Sequence, residues 1–326
     1  MVKANAYGTD AILVSKAVDK LVDYFGVAYS SNGYILRDNG IKSPIMVMAP
    51  EPTDLEKIAS YNLEPVLYSL EMIKAGVALD KPLNIHIEID SGMRRLGIKK
   101  EEIQQAISLI NQSSLTVISS FSHMVAPSEV EHDTFSHAQA TYFEICFKEL
   151  SNGLSTKPLK HLVSSGGIKR FPQYHFDMVR LGIGFYGFDP TQLIHNQVVS
   201  MATFQTKILQ IMEVKKGESI GYSRKDSLPY DAKIATLSVG YGDGYLRVFG
   251  NGNAEVFING KRGKTVGNIC MDLTTIDITH IDCKSGDVVE LFGSTITIEE
   301  MSKTAKTIPY EILTNISPRV ERFLVE

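Results

Sequence analysis

The chain has 326 residues, with 33 lysines and arginines against 37 aspartates and glutamates, a formal charge of -4 and a mean hydropathy of -0.02. A balance this close to neutral provides no broad basic field and argues against nucleic acid as a partner. Cys146, Cys270 and Cys283 are odd in number and far apart, no apolar run reaches membrane-spanning length, and nothing at the start reads as a signal peptide. The sequence therefore predicts a cytoplasmic protein with a large core in two domains, held by no disulfide framework and no zinc site.

The chain opens on MVKANAYG, a lysine at position three followed by small residues, an aromatic hydroxyl and a glycine. Short apolar runs follow at 24–30, 44–50, 64–69, 83–90, 115–124, 160–165 and 178–187. Amphipathic patterns such as TDAILVSKAVDKLV and EEIQQAISLINQS lie between several of them. Strands alternating with helices imply crossover units and a parallel sheet. The seven runs and the initial MVK make eight, the strand count of a (β/α)8 TIM-like barrel, with the first strand only a stub. After FDPTQLIHNQ the texture changes. MATFQTKILQIMEV, AKIATLSV, NAEVFING, TTIDIT, VVELFG and TITIE read as strands, with GNGN and INGKRG as hairpin loops. The expected architecture is thus α/β, a barrel over 1–195 followed by a mostly β domain over 196–326.

Barrel enzymes carry their chemistry at the C-terminal ends of the strands. The polar residues predicted there are Lys3, Tyr7, Arg95, His123, Ser165 and Arg180. The set holds an amine, guanidinium groups, an imidazole and hydroxyls, without the clustered carboxylates of a magnesium site or the His/Cys set of zinc. An amine among anion-binding groups suits Schiff-base chemistry on a phosphorylated cofactor.

Read as whole segments, VKANAYG, IDSGMRRLG, FSHMVAPSE, HLVSSGGIKRFP, MVRLGIGFYG, IGYSRKD, VGYGDGYLR, VGNICMD and IPYEILTNISPRV resemble, in order, the motifs of the alanine racemase family. The resemblance implies pyridoxal 5'-phosphate (PLP) as cofactor and a homodimer with shared active sites. It implies two-base racemisation of L- and D-alanine, supplying D-alanine for peptidoglycan. Lys3 would carry the cofactor and act as one base, and Tyr222, reaching the partner subunit's site, as the other. Arg180 would face the pyridine nitrogen with His161 behind it, and His123 would pack on the ring. Phosphate would fall to Ser165, Tyr7 and the amides of Gly182 and Ile183. Arg95 and the backbone of Met271, the latter from the partner subunit, would take the substrate carboxylate. Glu88 stands where the family often has a carbamylated lysine and would orient Arg95 directly. Tyr241 and Asp272 would line the access path, and no metal is implied. Family members usually begin a few dozen residues earlier, so the resemblance also implies a truncated first strand with an exposed edge beside it. A broader racemase acting on serine keeps the same fold. A decarboxylase does too, although Arg180 argues against it. A PLP-binding module without catalysis, or a non-functional fragment, are further alternatives; the module would lack the β half and Tyr222.

Overall fold

The computed structural model describes residues 1–193 and 197–325. The expected domain boundary at 195/196 therefore lies outside the described residues. Contacts group the chain into two units, one made of Met1–Ala6 with Asp10–Val199 and the other of Tyr7–Thr9 with Ser200–Glu326.

The first unit is built on seven parallel strands: β1 (Phe25–Val27), β2 (Ile45–Val47), β3 (Glu64–Leu67), β4 (Leu83–Glu88), β5 (Leu115–Phe121), β6 (Leu159–Ser164) and β7 (Met178–Arg180). Each pairs with the next in sequence, so spatial order equals chain order. That follows from the alternation of strand and helix, since a parallel neighbour can be reached only by a crossover. β1 and β2 are buried at every position, as strands covered on both faces must be. Six of the seven apolar runs contain one of these strands, and β6 starts one residue before the seventh, at Leu159. The run at 178–187 does not continue as a strand past Arg180. A 3-10 turn, Ile183–Tyr186, replaces its second half, because two glycine amides there bend onto a serine described below.

The predicted stub does not form a strand, and Met1 and Val2 take its place through hydrogen bonds alone. The Val2 amide donates to the Gly26 carbonyl (2.9 Å) beside β1, and the Met1 amine donates to the Leu181 carbonyl (2.9 Å) just past β7. The Tyr186 hydroxyl donates to the Met1 carbonyl (2.9 Å). The two edges of the sheet are thereby linked through Met1 and Val2. Helices start where side-chain oxygens meet their free amides. Asp10 caps Ala11–Val18 through the Ile12 and Leu13 amides (both 2.9 Å), and Ser69 caps Leu70–Ala78. Ile103–Asn111 buries Ile103, Ala106, Ile107 and Ile110, one face of a 3.6-residue period.

The second unit is antiparallel. Its strands are β8 (Phe204–Val214), β9 (Ser219–Ile220), β10 (Asp226–Ser227), β11 (Ala232–Leu237), β12 (Glu255–Ile258), β13 (Lys261–Lys264), β14 (Thr274–Asp277) and β15 (Val288–Phe292). Six form one sheet in the order β13-β12-β15-β8-β11-β14, and β9 and β10 form a small hairpin. INGKRG is the hairpin joining β12 to β13, with Asn259 (φ 46°) and Gly260 (φ 85°) supplying the left-handed pair that a two-residue turn needs. Two expectations fail here. GNGN precedes β12 and does not join paired strands, because the Asn251 amide turns away to the Gly267 carbonyl (2.8 Å). TITIE is no strand. Thr297 accepts from the Glu300 amide (3.2 Å) and begins the helix Ile298–Ala305. A second helix, Pro309–Thr314, follows. Among the described residues no helix is long and apolar enough to cross a membrane.

Candidate active site

Lys3 stands at the start of a helical turn of the wrong hand. Ala4, Asn5, Ala6 and Tyr7 all have φ between 51° and 55°, the left-handed region. Each L-residue there costs roughly 1–2 kcal/mol, so the turn needs outside support. The Ala6 amide donates to the Val2 carbonyl (2.9 Å), the Asp10 amide to the Asn5 carbonyl (3.0 Å), and the Asn5 side chain accepts from the Ala11 amide (2.9 Å). Gly8 completes the turn at φ 84°. Lys3 remains accessible, yet loss of hydration holds its amine below the usual lysine range, and the positive charge of Arg95 adds to this. A lysine lowered this way presents more free amine near neutrality, which a nucleophile and a base both require.

Arg180, the last residue of β7, is buried and held by four acceptors. Its Nη1 donates to His161 Nδ1 (2.6 Å), and its Nη2 lies near the carbonyls of Ser122 (2.7 Å) and Leu162 (2.8 Å) and His123 Nδ1 (3.1 Å). Phe121 lies under the guanidinium (4.9 Å) and stacks on His161 (4.7 Å, 19°). Burial pushes the guanidinium down to about 10, with Glu88 opposing that shift and Arg95 adding to it. It therefore stays charged near neutrality and can only donate. His123 is driven the other way from a cation. Burial, then Arg180, Arg95 and Lys3, push its imidazole down to about 3, so it is neutral and accepts from Arg180. Gln139 holds the backbone on either side, accepting from the Val125 amide (3.0 Å) and donating to the His123 carbonyl (3.3 Å).

Ser165 begins a short helical turn, Ser165–Ile168, after β6. Its Oγ accepts from the amides of Gly182 (2.9 Å) and Gly184 (3.1 Å), while the Ile183 amide between them has no hydrogen-bond partner among the described residues. At Gly184 a Cβ would stand 3.3 Å from Ser165 Oγ, a tight contact that this serine would have to give way to. Converging amides beside a hydroxyl, with one donor unspent, form an anion cradle.

Arg95 lies in the loop after β4. Asp90 shapes that loop by accepting from the Gly92 (2.9 Å) and Arg94 (3.0 Å) amides. At Gly97 (φ 120°) a Cβ would meet the Asp90 amide at 2.4 Å. Glu88 is buried at the end of β4. Desolvation raises its carboxyl, and the positive charges of Arg180 and Arg95 oppose that rise. The interaction is through space, and no ion pair joins Glu88 to Arg95 among the described residues.

In the second unit, Tyr222 lies in the β9–β10 loop and is 70% exposed, its carbonyl bound by Asn268 Nδ2 (3.0 Å). Gly221 (φ 72°), Ser223 (φ 65°) and Arg224 (φ 50°) surround it with left-handed backbone. Met271 and Tyr241 are exposed too, and the Gly242 amide binds the Met271 carbonyl (2.9 Å). Asp272 pairs with Arg319 (2.8 Å), which also reaches Asp243 (2.7 Å). Tyr7 is buried, its ring 6.1 Å from that of Tyr310.

Sequence reasoning missed the supports: Phe121, Ser119, Ser122, Gln139 and Gly184. One signal was readable. Ser119, Phe121 and His123 recur at every second position of β5 and its extension, as do His86 and Glu88 on β4. Polar residues at that spacing in a strand buried on both faces line the barrel interior.

What this arrangement suits is a molecule that brings a carbonyl to an amine, an anion to amides and an acceptor to a guanidinium whose Nε–H takes no partner among the described residues. A barrel so furnished is an enzyme of the class that borrows its reactivity from a phosphorylated carbonyl cofactor, and the donor set fits PLP. Comparison with known proteins agrees. Residues 1–190 match the alanine racemase N-terminal domain and residues 201–324 the alanine racemase C-terminal domain. The chain is 34% identical to the alanine racemase of Pasteurella multocida, over 98% of this chain and 89% of that one. Among solved structures, alanine racemase of Clostridium difficile 630 superposes with a TM-score of 0.91 at 32% identity, covering 98% of this chain and 87% of that one. That of Bartonella henselae, with covalently bound pyridoxal phosphate, gives 0.89 at 29%, over 99% and 91%. The chain belongs to the alanine racemase family.

Proposed function

We propose that the protein interconverts L- and D-alanine with PLP, by two bases on opposite faces of the α-carbon, as a cytoplasmic homodimer that supplies D-alanine for peptidoglycan. The observation that carries this reading is the setting of Arg180: both terminal nitrogens are committed to the protein, the group stays charged, and Nε–H is left to donate. When bound, PLP supplies a carbonyl that condenses with an amine and a ring that spreads the electron pair left by a departing α-proton. Lys3 holds the cofactor and moves the proton on one face, its amine already lowered by desolvation. Tyr222, exposed on its loop, is available to a partner subunit and moves the proton on the other face.

Arg180 donates to the ring nitrogen and cannot give up its proton, which tempers the ring as an electron sink and disfavours side reactions. His161 fixes Arg180 from behind, and neutral His123 packs against the ring. Ser165, Gly182, Ile183 and Tyr7 bind the phosphate. Arg95 and the amide of Met271 of the partner subunit bind the substrate carboxylate, with Glu88 steadying Arg95 through its charge. Tyr241 and Asp272 line the access path.

Borohydride reduction of protein loaded with PLP, followed by peptide mapping, tests the assignment. The label belongs on Lys3, and Lys3→Ala is expected to lose both the label and racemisation, by about 10³-fold or more. A label on any other lysine would refute the site.

A further inference from the structure

Behind Arg180 the hydrogen bonding does not stop at His161. His161 Nε2 meets Ser119 Oγ (2.9 Å), Ser119 Oγ meets His86 Nδ1 (2.7 Å), and His86 Nε2 meets Glu64 Oε2 (3.0 Å). His86, Ser119 and His161 are fully buried, and the Glu64 side chain is 12% exposed. Glu64 is the first residue of β3 and Arg180 the last of β7, so the chain of groups crosses the barrel interior from the rim where strands begin to the rim where they end.

We propose that Glu64 is a positioning residue for Arg180, acting through His86, Ser119 and His161 as a one-way hydrogen-bonded relay. The two ends dictate its direction. Arg180 can only donate, so His161 Nδ1 must be bare. A neutral His161 then carries its proton on Nε2 and gives it to Ser119, whose own proton must go to a bare His86 Nδ1. His86 is left with Nε2–H, and Glu64, an acceptor only, receives it. Every donor has one acceptor. A doubly protonated His86 does not fit, because Ser119 would then receive from both sides and its own proton would have no acceptor along the relay. Burial keeps His161 neutral, in agreement with this arrangement. Desolvation raises the Glu64 carboxyl, and its hydrogen bond with His86, followed by those from the Tyr24 hydroxyl and the Asn84 amide (3.4 Å), outweighs that and holds it below the usual carboxylate range.

The consequence is for the guanidinium. With Glu64 removed, His86 can move its proton to Nδ1, Ser119 loses its acceptor, and the state of His161 that anchors Arg180 is no longer the only one satisfied. The link from Arg180 to the cofactor rests on the functional reading above; the relay itself does not.

Nitrogen-15 NMR of histidine-labelled full-length protein, with and without PLP, decides the matter. In the parent protein His86 and His161 are expected to show protonated Nε2 and bare Nδ1. Glu64→Gln keeps an acceptor and should preserve that pattern. Glu64→Ala should give mixed states at both histidines and shift the absorption band of the bound cofactor. Ser119→Ala, which leaves the Glu64–His86 pair intact, should perturb His161 and leave His86 Nε2 protonated. An Nδ1 proton on either imidazole of the parent protein overturns the relay. So does a Glu64→Ala protein whose His161 signals and cofactor band are unchanged. If the parent protein takes up no PLP, the functional reading is lost, and the histidine signals of the unloaded protein still decide the relay.

Discussion

At the scale of single residues, the lysine of this site is placed by backbone that L-amino acids avoid. Ala4 lies at φ 51° and ψ 50°, exposed, with no bulky group committed there. Ala4→Gly should therefore stabilise the protein by about 1 kcal/mol, the relief of strain outweighing the added freedom of the unfolded chain. Ala4→Val should destabilise it by at least as much, since a branched Cβ worsens the clash. Urea denaturation of the full chain reads both, and equal midpoints for all three proteins would show that the turn stores no strain. None of this was legible in KANAY, where the composition reads as helix-forming, because the left-handed conformation is imposed by bonds from Val2, Asp10 and Ala11. Lys3, Ser165 and Arg180 were legible, as polar residues at the ends of apolar runs. Ser119 and Phe121 were present in the sequence as an alternation, but nothing local said that the strand would be covered on both faces.

At the scale of elements, the sequence reading succeeded where one period persisted and failed where a cap decided. The parallel strands each left an apolar run, and FQTKILQIMEV left a long alternating one. TITIE alternates as well, yet its second threonine, Thr297, accepts from the Glu300 amide and begins a helix. That cap is testable. Thr297→Ala should cost about 1 kcal/mol of stability, and Thr297→Ser or Thr297→Asp should restore most of it. Thermal melts of the set check this, and an alanine variant as stable as the parent would mean that packing of Met301, not the cap, starts the helix. The end of β7 failed for a related reason. LGIGFYG has the composition of a strand, but the amides of Gly182 and Gly184 bond to Ser165, which lies far away in sequence.

At the scale of the whole molecule, two buried imidazoles govern the response to acid. His123 is pushed from 6.5 to about 3 chiefly by burial, and His161 is lowered well below 6.5 for the same first reason. The unfolded chain binds these protons before the folded one does. Stability is therefore full above about 6.5 and falls as pH drops towards 3, by up to ~1.4 kcal/mol per pH unit for each imidazole. The groups facing His123, Arg180, Arg95 and Lys3, are all positive and lower its pKa further, which carries the loss to lower pH. Urea midpoints from pH 7 to pH 4 should fall steadily, and His123→Gln should fall less steeply than the parent. Parallel slopes would assign the acid sensitivity to other groups.

The left-handed turn after Lys3 has one more consequence. Its dihedral angles, near 51° and 50°, are the mirror image of an ordinary right-handed helix. A residue of D configuration would sit there in its own ground state. Chain assembled by ligation of a synthetic N-terminal peptide with D-alanine at position 4 should be firmer than the natural chain, while the same replacement inside Ile103–Asn111 should break that helix. The segment that carries the lysine is thus shaped as though it were made from the enantiomer the enzyme produces.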